Sequence, residues 1–376
     1  MKNERRNDLD WLRVLVFALL ILYHVGMFFV PWDWHLKNNV IYPWLKWPML
    51  FVNQWRLPIL FLISGMGTYY ALGRRSWGKF SRERLARLGL PLIVGMLFIV
   101  PPQVYFERLD QGRYSGSYAQ FYSMAFDGIY PQGNLSWHHL WFLPYLLLFS
   151  LLLSPILVGI AQRPGRFTRG IKGMLQKPGN LYLFTVPLYL TEVFVEPHFP
   201  VTHALIGDWF TLVFNGLIFF MGFMLIASGP IFWEGLEKIR KKALAIGLFT
   251  FSGLLVIWLG FQDSAPVHYV EGMFKVVNLW SWILVLLGYG AKYLNRPSKA
   301  LAYANRAVYP FYILHQTITV ALAYAVKDLP WGLWPKALVL VLGTFGLGWA
   351  IYDLLILRIP WLHPLFGLKP RRKLAT

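Results

Sequence analysis

Cysteine is absent from the 376 residues. Its absence excludes disulfides, thiolate nucleophiles and cysteine-ligated metal sites in one step, and no metal is expected. Acidic residues are scarce, 17 Asp and Glu against 36 Lys and Arg, and charged residues make up only 14% of the chain. So little charge, with 57% hydrophobic residues and a mean hydropathy of +0.47, excludes an ordinary soluble domain and indicates an all-α polytopic membrane protein. Inverted repeats of the kind many transporters carry are missing as well. About ten apolar runs leave no room for a separate soluble domain, so residues 1–376 read as one integral-membrane domain.

The formal charge of +19 suits nucleic-acid binding in a soluble protein. Here the charge sits in short loops between hydrophobic runs, so membrane topology explains it better. Lys2, Arg5 and Arg6 before the first run imitate a signal peptide, but the run is too long and no small-residue cleavage site follows, so it reads as a retained helix.

Hydropathy predicts transmembrane helices at 11–30, 48–72, 88–105, 138–160, 181–197, 206–227, 243–261, 271–290, 307–326 and 334–357. Such a count puts both termini on one side. The other side carries only Lys37, Lys46, Arg108, Arg113, Lys275, Lys327 and Lys336, and Arg56 lies inside a helix. Every other basic residue falls on the terminal side. The positive-inside rule then places both termini in the cytoplasm.

Ionisable groups inside apolar runs are costly, so they are functional candidates. Arg13 and His24 are eleven residues apart in the first run, about three turns, so they share a face with Asp10. His24 sits about 16 Å beyond Arg13, near mid-membrane. Arg56 in the second run and His315 in the ninth fall at a similar depth, and the three together predict a polar cavity. His139 lies near an outer helix end, where an anchor is the ordinary reading. Glu271 is also near an outer end and has Lys275 one turn along as a simple ion-pair partner. Arg84 and Arg87 share a face at the cytoplasmic mouth of the third run, which suits phosphate as well as topology or anionic lipid. The external segment 106–137, with its Tyr, Gly, Ser and Gln, reads as a ligand loop or a plain connector.

These residues resemble the acyltransferase 3 family of membrane O-acyltransferases. The similarity runs in order through Asp10-x-x-Arg13 with His24, Arg56 before Phe61-Leu-Ile-Ser-Gly65, Arg84-x-x-Arg87, His139-Leu-Trp141-Phe-Leu143 and Tyr312-x-x-His315. Ser136-Trp-His-His-Leu-Trp-Phe-Leu143 and the tail from Arg358 to Pro370 are most similar to the branch containing the glucan-biosynthesis succinyltransferase.

The resemblance implies transfer of an acetyl or succinyl group from cytoplasmic acyl-CoA to a hydroxyl of an extracytoplasmic glycan or other carbohydrate, in the bacterial inner membrane. It implies His24 as general base with His315 as the rival, Arg13 oriented by Asp10, and an oxyanion stabilised by Arg56 or His315. Arg84, Arg87 and Arg13 are then the CoA-phosphate ligands, and His139, Glu271 and Trp141 the candidates for the acceptor. The expected partners are a carbohydrate and membrane lipid, with no nucleic acid; a homodimer stays open. The competing class is a transporter or exporter of a glycan or anionic metabolite, in which mid-membrane His and Arg serve proton or anion passage.

Overall fold

The computed structural model describes residues 6–73, 75–163 and 165–369. Lys2, Arg5, Arg74, Arg371, Arg372 and Lys373 of the charge pattern, and Pro370 of the tail motif, lie outside them. Among the described residues there is no strand, and the only β pairing is an isolated bridge between Ile129 and Leu135.

Fifteen α-helices follow in chain order: α1 Asn7–Met27, α2 Lys46–Leu72, α3 Trp77–Arg84, α4 Leu90–Val94, α5 Pro101–Asp110, α6 Tyr118–Tyr122, α7 Phe142–Gln162, α8 Arg166–Met174, α9 Thr185–Phe194, α10 Trp209–Ala227, α11 Pro230–Gly260, α12 Ala265–Tyr293, α13 Lys299–Val326, α14 Leu333–Ala350 and α15 Leu362–Leu365. Single π turns at Leu85–Gly89 and Gly95–Ile99 join α3, α4 and α5 into one long segment, and another follows α14 at Ile351–Ile356. Among the described residues, eight helical segments are long and apolar enough to cross a membrane, so the protein is an all-α polytopic membrane protein. They cover eight of the ten expected spans. The expected span at 307–326 lies inside the 28-residue α13, whose polar residues lower its hydropathy. The one at 181–197 is a short 3-10 turn, Pro178–Phe184, followed by the ten-residue α9.

Two compact units divide the chain. The first takes the chain as far as Val16, with Leu50–Arg82 and Tyr145–Leu301; the second takes Phe17–Met49, Glu83–Pro144 and the chain from Ala302 onward.

In the first unit, small residues let backbones meet. A Cβ on Gly65 would stand 1.9 Å from the Phe219 carbonyl oxygen, and one on Gly222 would stand 2.0 Å from that of Leu62. Glycine is therefore required where α2 crosses α10, the close approach by which apolar helices associate without a hydrophobic drive. Asp208, fully buried, accepts from the Tyr145 hydroxyl at 2.6 Å and the His203 N–H at 2.7 Å, and caps α10 through the Thr211 N–H.

In the second unit, Val25, Phe28, Phe29, Leu36, Val320, Ala323, Val326, Leu333 and Leu340 form an apolar core. Lysines tie the loops beside it. Lys37 donates to the carbonyls of Met27, Val30 and Trp32, which closes the end of α1. Buried Lys336 donates to Asn38, Asn39 and the Lys327 carbonyl.

Proline shapes the segments that carry polar groups. Pro101 cannot donate back to the Leu97 carbonyl, and the Tyr122 hydroxyl fills that vacancy at 3.1 Å. In α7 the Leu151 carbonyl loses its donor to Pro155 and receives the Ser154 hydroxyl instead.

Gly65→Ala or Gly222→Ala drives a methyl group into a carbonyl that no rotamer change can move. Each is expected to cost about 1–3 kcal/mol and to lower the thermal unfolding midpoint of the detergent-purified protein. Gly67→Ala, which faces open space, is expected to leave that midpoint nearly unchanged.

Candidate active site

The second unit holds a buried polar chain contributed by α1, α5, α13 and the 3-10 turn His138–Trp141. At its head, His24 Nδ1 lies 2.7 Å from His315 Nε2, with the rings stacked 5.0 Å apart and 6° from parallel. His24 stands in the last turn of α1, which ends at Met27.

Hydrogen-bond roles assign the tautomers. His315 Nδ1 is 2.7 Å from the Tyr312 carbonyl, which can only accept. His315 therefore carries its proton on Nδ1 and offers a lone pair on Nε2. His24 Nδ1–H donates to that lone pair, which places the His24 lone pair on Nε2.

His139 packs edge-on against His315 with ring centroids 5.0 Å apart. Its Nε2–H donates to the Ile313 carbonyl at 3.0 Å, and Nδ1 accepts from Gln103 at 3.4 Å. The Tyr312 hydroxyl donates to the His139 carbonyl at 2.6 Å. Both ring nitrogens are thus engaged, and in this arrangement His139 fastens the 3-10 turn to α13. Trp141 sits in the same turn, half-buried.

Gln103 continues the chain. Its amide nitrogen donates to Thr317 at 2.7 Å, and its oxygen accepts from Gln316 at 3.1 Å. Thr317 in turn donates to the Ile99 carbonyl at 2.5 Å, at the π turn before Pro101. Gln316 also donates to His35 Nε2 at 2.9 Å, so the His35 proton sits on Nδ1 and goes to Glu107 Oε2 at 2.5 Å. The Tyr130 hydroxyl donates to Glu107 Oε1 at 3.1 Å. Burial and that carboxylate push the Tyr130 phenol up to about 12, so it remains a donor at neutral pH. Arg108, also buried, donates to Asn134, Gln111 and the carbonyls of Pro131 and Gly133, and so latches the 111–137 segment to α5.

On the other side of His315, α13 presents Tyr312 and Tyr309 at successive three-residue steps, with the two phenol rings nearly parallel 6.4 Å apart. The Tyr309 hydroxyl is buried without a hydrogen-bond partner among the described residues. The charges of Arg87 and Arg84 reach it, and Gly367 packs on its ring and against the Arg87 carbonyl. Arg84 is half-buried at the end of α3, and Arg87 is exposed in the first π turn. One face of α13 therefore leads from the arginine pair to the histidine pair, about 9 Å from Tyr309 to His315 along the helix.

The remaining candidates lie in the first unit. Asp10 and Arg13 pair at 3.2 Å on α1. Arg56 is buried on α2, 6% exposed. Burial, with Arg56 as a lesser cause, holds the His203 imidazole down to about 4. Glu271 accepts from Trp258 at 2.8 Å and pairs with Lys275 at 2.9 Å, the local partner its spacing predicts; Lys275 also reaches Glu192 at 3.6 Å.

Gln103, Gln316, Thr317, His35 and Glu107 were not anticipated from the sequence. Their signal was present for two of them: Gln103 follows the Pro101-Pro102 pair within an apolar run, and Gln316 adjoins His315, both at membrane depth.

The profile of a family described as "Acyltransferase domain" matches residues 6–353. The chain is similar to "Glucans biosynthesis protein C" of Escherichia coli strain K12, 22% identical over 376 residues that cover 98% of this chain and 95% of the relative. The protein of that name from Shigella dysenteriae serotype 1 is 22% identical over 378 residues, with the same coverage. No solved structure matches significantly.

Arg108→Met removes the donor from four acceptors at once. It is expected to destabilise the protein by about 3 kcal/mol and to open the 111–137 segment to limited proteolysis, read as a new cleavage product under conditions that leave the wild type intact.

Proposed function

The chain belongs to the acyltransferase 3 family, and from that premise we propose that it moves an acyl group from cytoplasmic acyl-CoA to a hydroxyl of an extracytoplasmic glycan, in the bacterial cytoplasmic membrane. The name carried by its relatives, glucans biosynthesis protein C, supports a glucan-type acceptor and either acetyl or succinyl as the group moved.

The observation that carries this reading is the His24–His315 pair with its assigned tautomers. Acyl transfer to a hydroxyl needs a base with a lone pair on a defined nitrogen and a partner that steadies the cation formed. His24 Nε2 takes the proton of the acceptor hydroxyl as its oxygen attacks the thioester carbonyl. The C–O bond forms, the tetrahedral intermediate collapses, the C–S bond breaks, and the departing CoA sulfur takes the proton back from His24. Throughout, His24 Nδ1–H stays on His315 Nε2, and His315 is held by the Tyr312 carbonyl. The relay resembles that of a catalytic triad, with a carbonyl-anchored imidazole in place of the carboxylate. His315 is therefore the positioning residue and His24 the base.

The arginine pair supplies the other end. Arg84 and Arg87 offer planar, bidentate donors suited to the CoA phosphates, and the Tyr309–Tyr312 face of α13 gives the pantetheine arm a path to His24.

Purified protein incubated with radiolabelled acetyl- or succinyl-CoA and a glucan oligosaccharide tests the assignment. The wild type is expected to release CoA and label the glycan. His24→Ala is expected to lower kcat by about 10²–10⁴ with the KM for acyl-CoA little changed. Near-normal turnover in that variant would remove His24 from the role of base. The double variant Arg84→Ala/Arg87→Ala is expected to raise the KM for acyl-CoA at least about tenfold, the loss of one hydrogen-bonded charge pair, while a lowered kcat at unchanged KM would contradict the phosphate assignment.

A further inference from the structure

At the outer end of the polar chain, three ligand-type side chains converge from separate segments. His35 comes from the stretch after α1, Glu107 from α5 and His138 from the 3-10 turn. A ring nitrogen of each histidine and a carboxylate oxygen of Glu107 all lie within 4.8 Å of one another. The two imidazole rings are 4.4 Å apart between centroids, and Glu107 is 2% exposed.

His138 carries two costs that the fold alone does not repay. Its φ is +39°, in the left-handed region that ordinary side chains rarely adopt. Its Nε2 is buried with no hydrogen-bond partner among the described residues, although buried polar atoms are nearly always paired. The opposite ring nitrogen, Nδ1, lies 3.0 Å from the Ser136 hydroxyl, which also accepts the His138 N–H at 3.0 Å. An imidazole fixed by an oxygen at Nδ1, standing in a histidine–carboxylate cluster with Nε2 unmatched, has the form of a metal ligand held by its outer neighbours.

The carboxylate is divided in the same way. Glu107 Oε1 is taken by Tyr130 and Gln111, with Arg108 at 3.7 Å, whereas Oε2 faces His35. One oxygen is thus held by the surroundings, and the other is turned toward His35.

We propose that His35, Glu107 and His138 bind a divalent transition ion of the zinc type. Two neutral imidazoles and one carboxylate form a donor set that suits zinc, with a fourth position left for water or a sugar hydroxyl. Bonds of about 2.0–2.2 Å draw the three donors inward from their present separation. The ion takes the place of the His35–Glu107 hydrogen bond, and the His35 proton moves to Nε2, where the Gln316 amide accepts it once its oxygen turns inward. No spacing motif announces such a site, because positions 35, 107 and 138 are brought together only by the fold. The inference stands apart from the acyl-transfer reading, since its readout is bound metal and not turnover.

The test uses the full-length protein without a polyhistidine tag, in detergent, stripped with a chelator and then titrated with Zn²⁺. One equivalent is expected to survive desalting, measured by elemental mass spectrometry. His138→Gln, His35→Gln and Glu107→Gln are each expected to weaken retention at least about tenfold, since even losing an outer neighbour of a metal ligand does as much. Co²⁺ added to the stripped wild type is expected to give the visible absorption of a low-coordinate imidazole–carboxylate complex, and Zn²⁺ is expected to quench it. That arm needs no variant and so is indifferent to misfolding. Failure of the wild type to retain zinc above a buffer control would overturn the proposal. So would equal retention by variants that remain monodisperse.

Discussion

One hydrogen bond organises the candidate site, the contact of His24 Nδ1 with His315 Nε2. It sets which nitrogen of each ring carries a proton, and it does so because the Tyr312 carbonyl leaves His315 no choice. A buried imidazole pair without such an anchor would have two exchangeable proton arrangements and no defined base. The anchor is local: Tyr312 lies three residues before His315 in α13, so helix geometry itself delivers the carbonyl. The neighbours then fix the rings in place. His139 packs across His315, and the Tyr312 hydroxyl returns to the His139 carbonyl.

A polar chain in an apolar setting stands only when each member is satisfied. The protein meets this condition by interrupting helices beside the polar residues. The π turn at Gly95–Ile99 and the prolines after it release carbonyls from the helical ladder. Thr317 and Tyr122 occupy them. The side chains that cross from α13 to α5 therefore meet ready acceptors, and Gln103 and Gln316 close the remaining gaps. His138 is an exception, strained and with one ring nitrogen unmatched among the described residues, and it stands beside His35 and Glu107.

Much of this was legible in the sequence. Apolar runs located the helices, since hydropathy depends on composition and needs no tertiary information. His24 and His315 were singled out by the cost of burying them, and helix rise put them at similar depth. The structure brings those two into contact. Arg56, chosen by the same depth reasoning, is on α2 in the first unit, where its charge reaches His203. Glu271 keeps the near partner its spacing suggested, Lys275. His139 was read for its place near an outer helix end, yet the structure engages both its nitrogens internally. The π turns and the His35–Glu107–His138 cluster were not legible. A π turn differs from an α turn by one residue of pairing, and His35, Glu107 and His138 share no local pattern. Only the tertiary fold assembles them.

The claim most open to a direct test is that His24 and His315 act as one unit, with the second positioning the first. Rates of acyl transfer from acyl-CoA to glycan would be compared for His24→Gln, His315→Gln and the double variant, all checked for equal membrane insertion. The account predicts that the double variant is no slower than His24→Gln alone, because removing a positioner adds nothing once the base is gone. Losses that multiply across the two variants would contradict it, and would mean that the histidines serve the reaction independently.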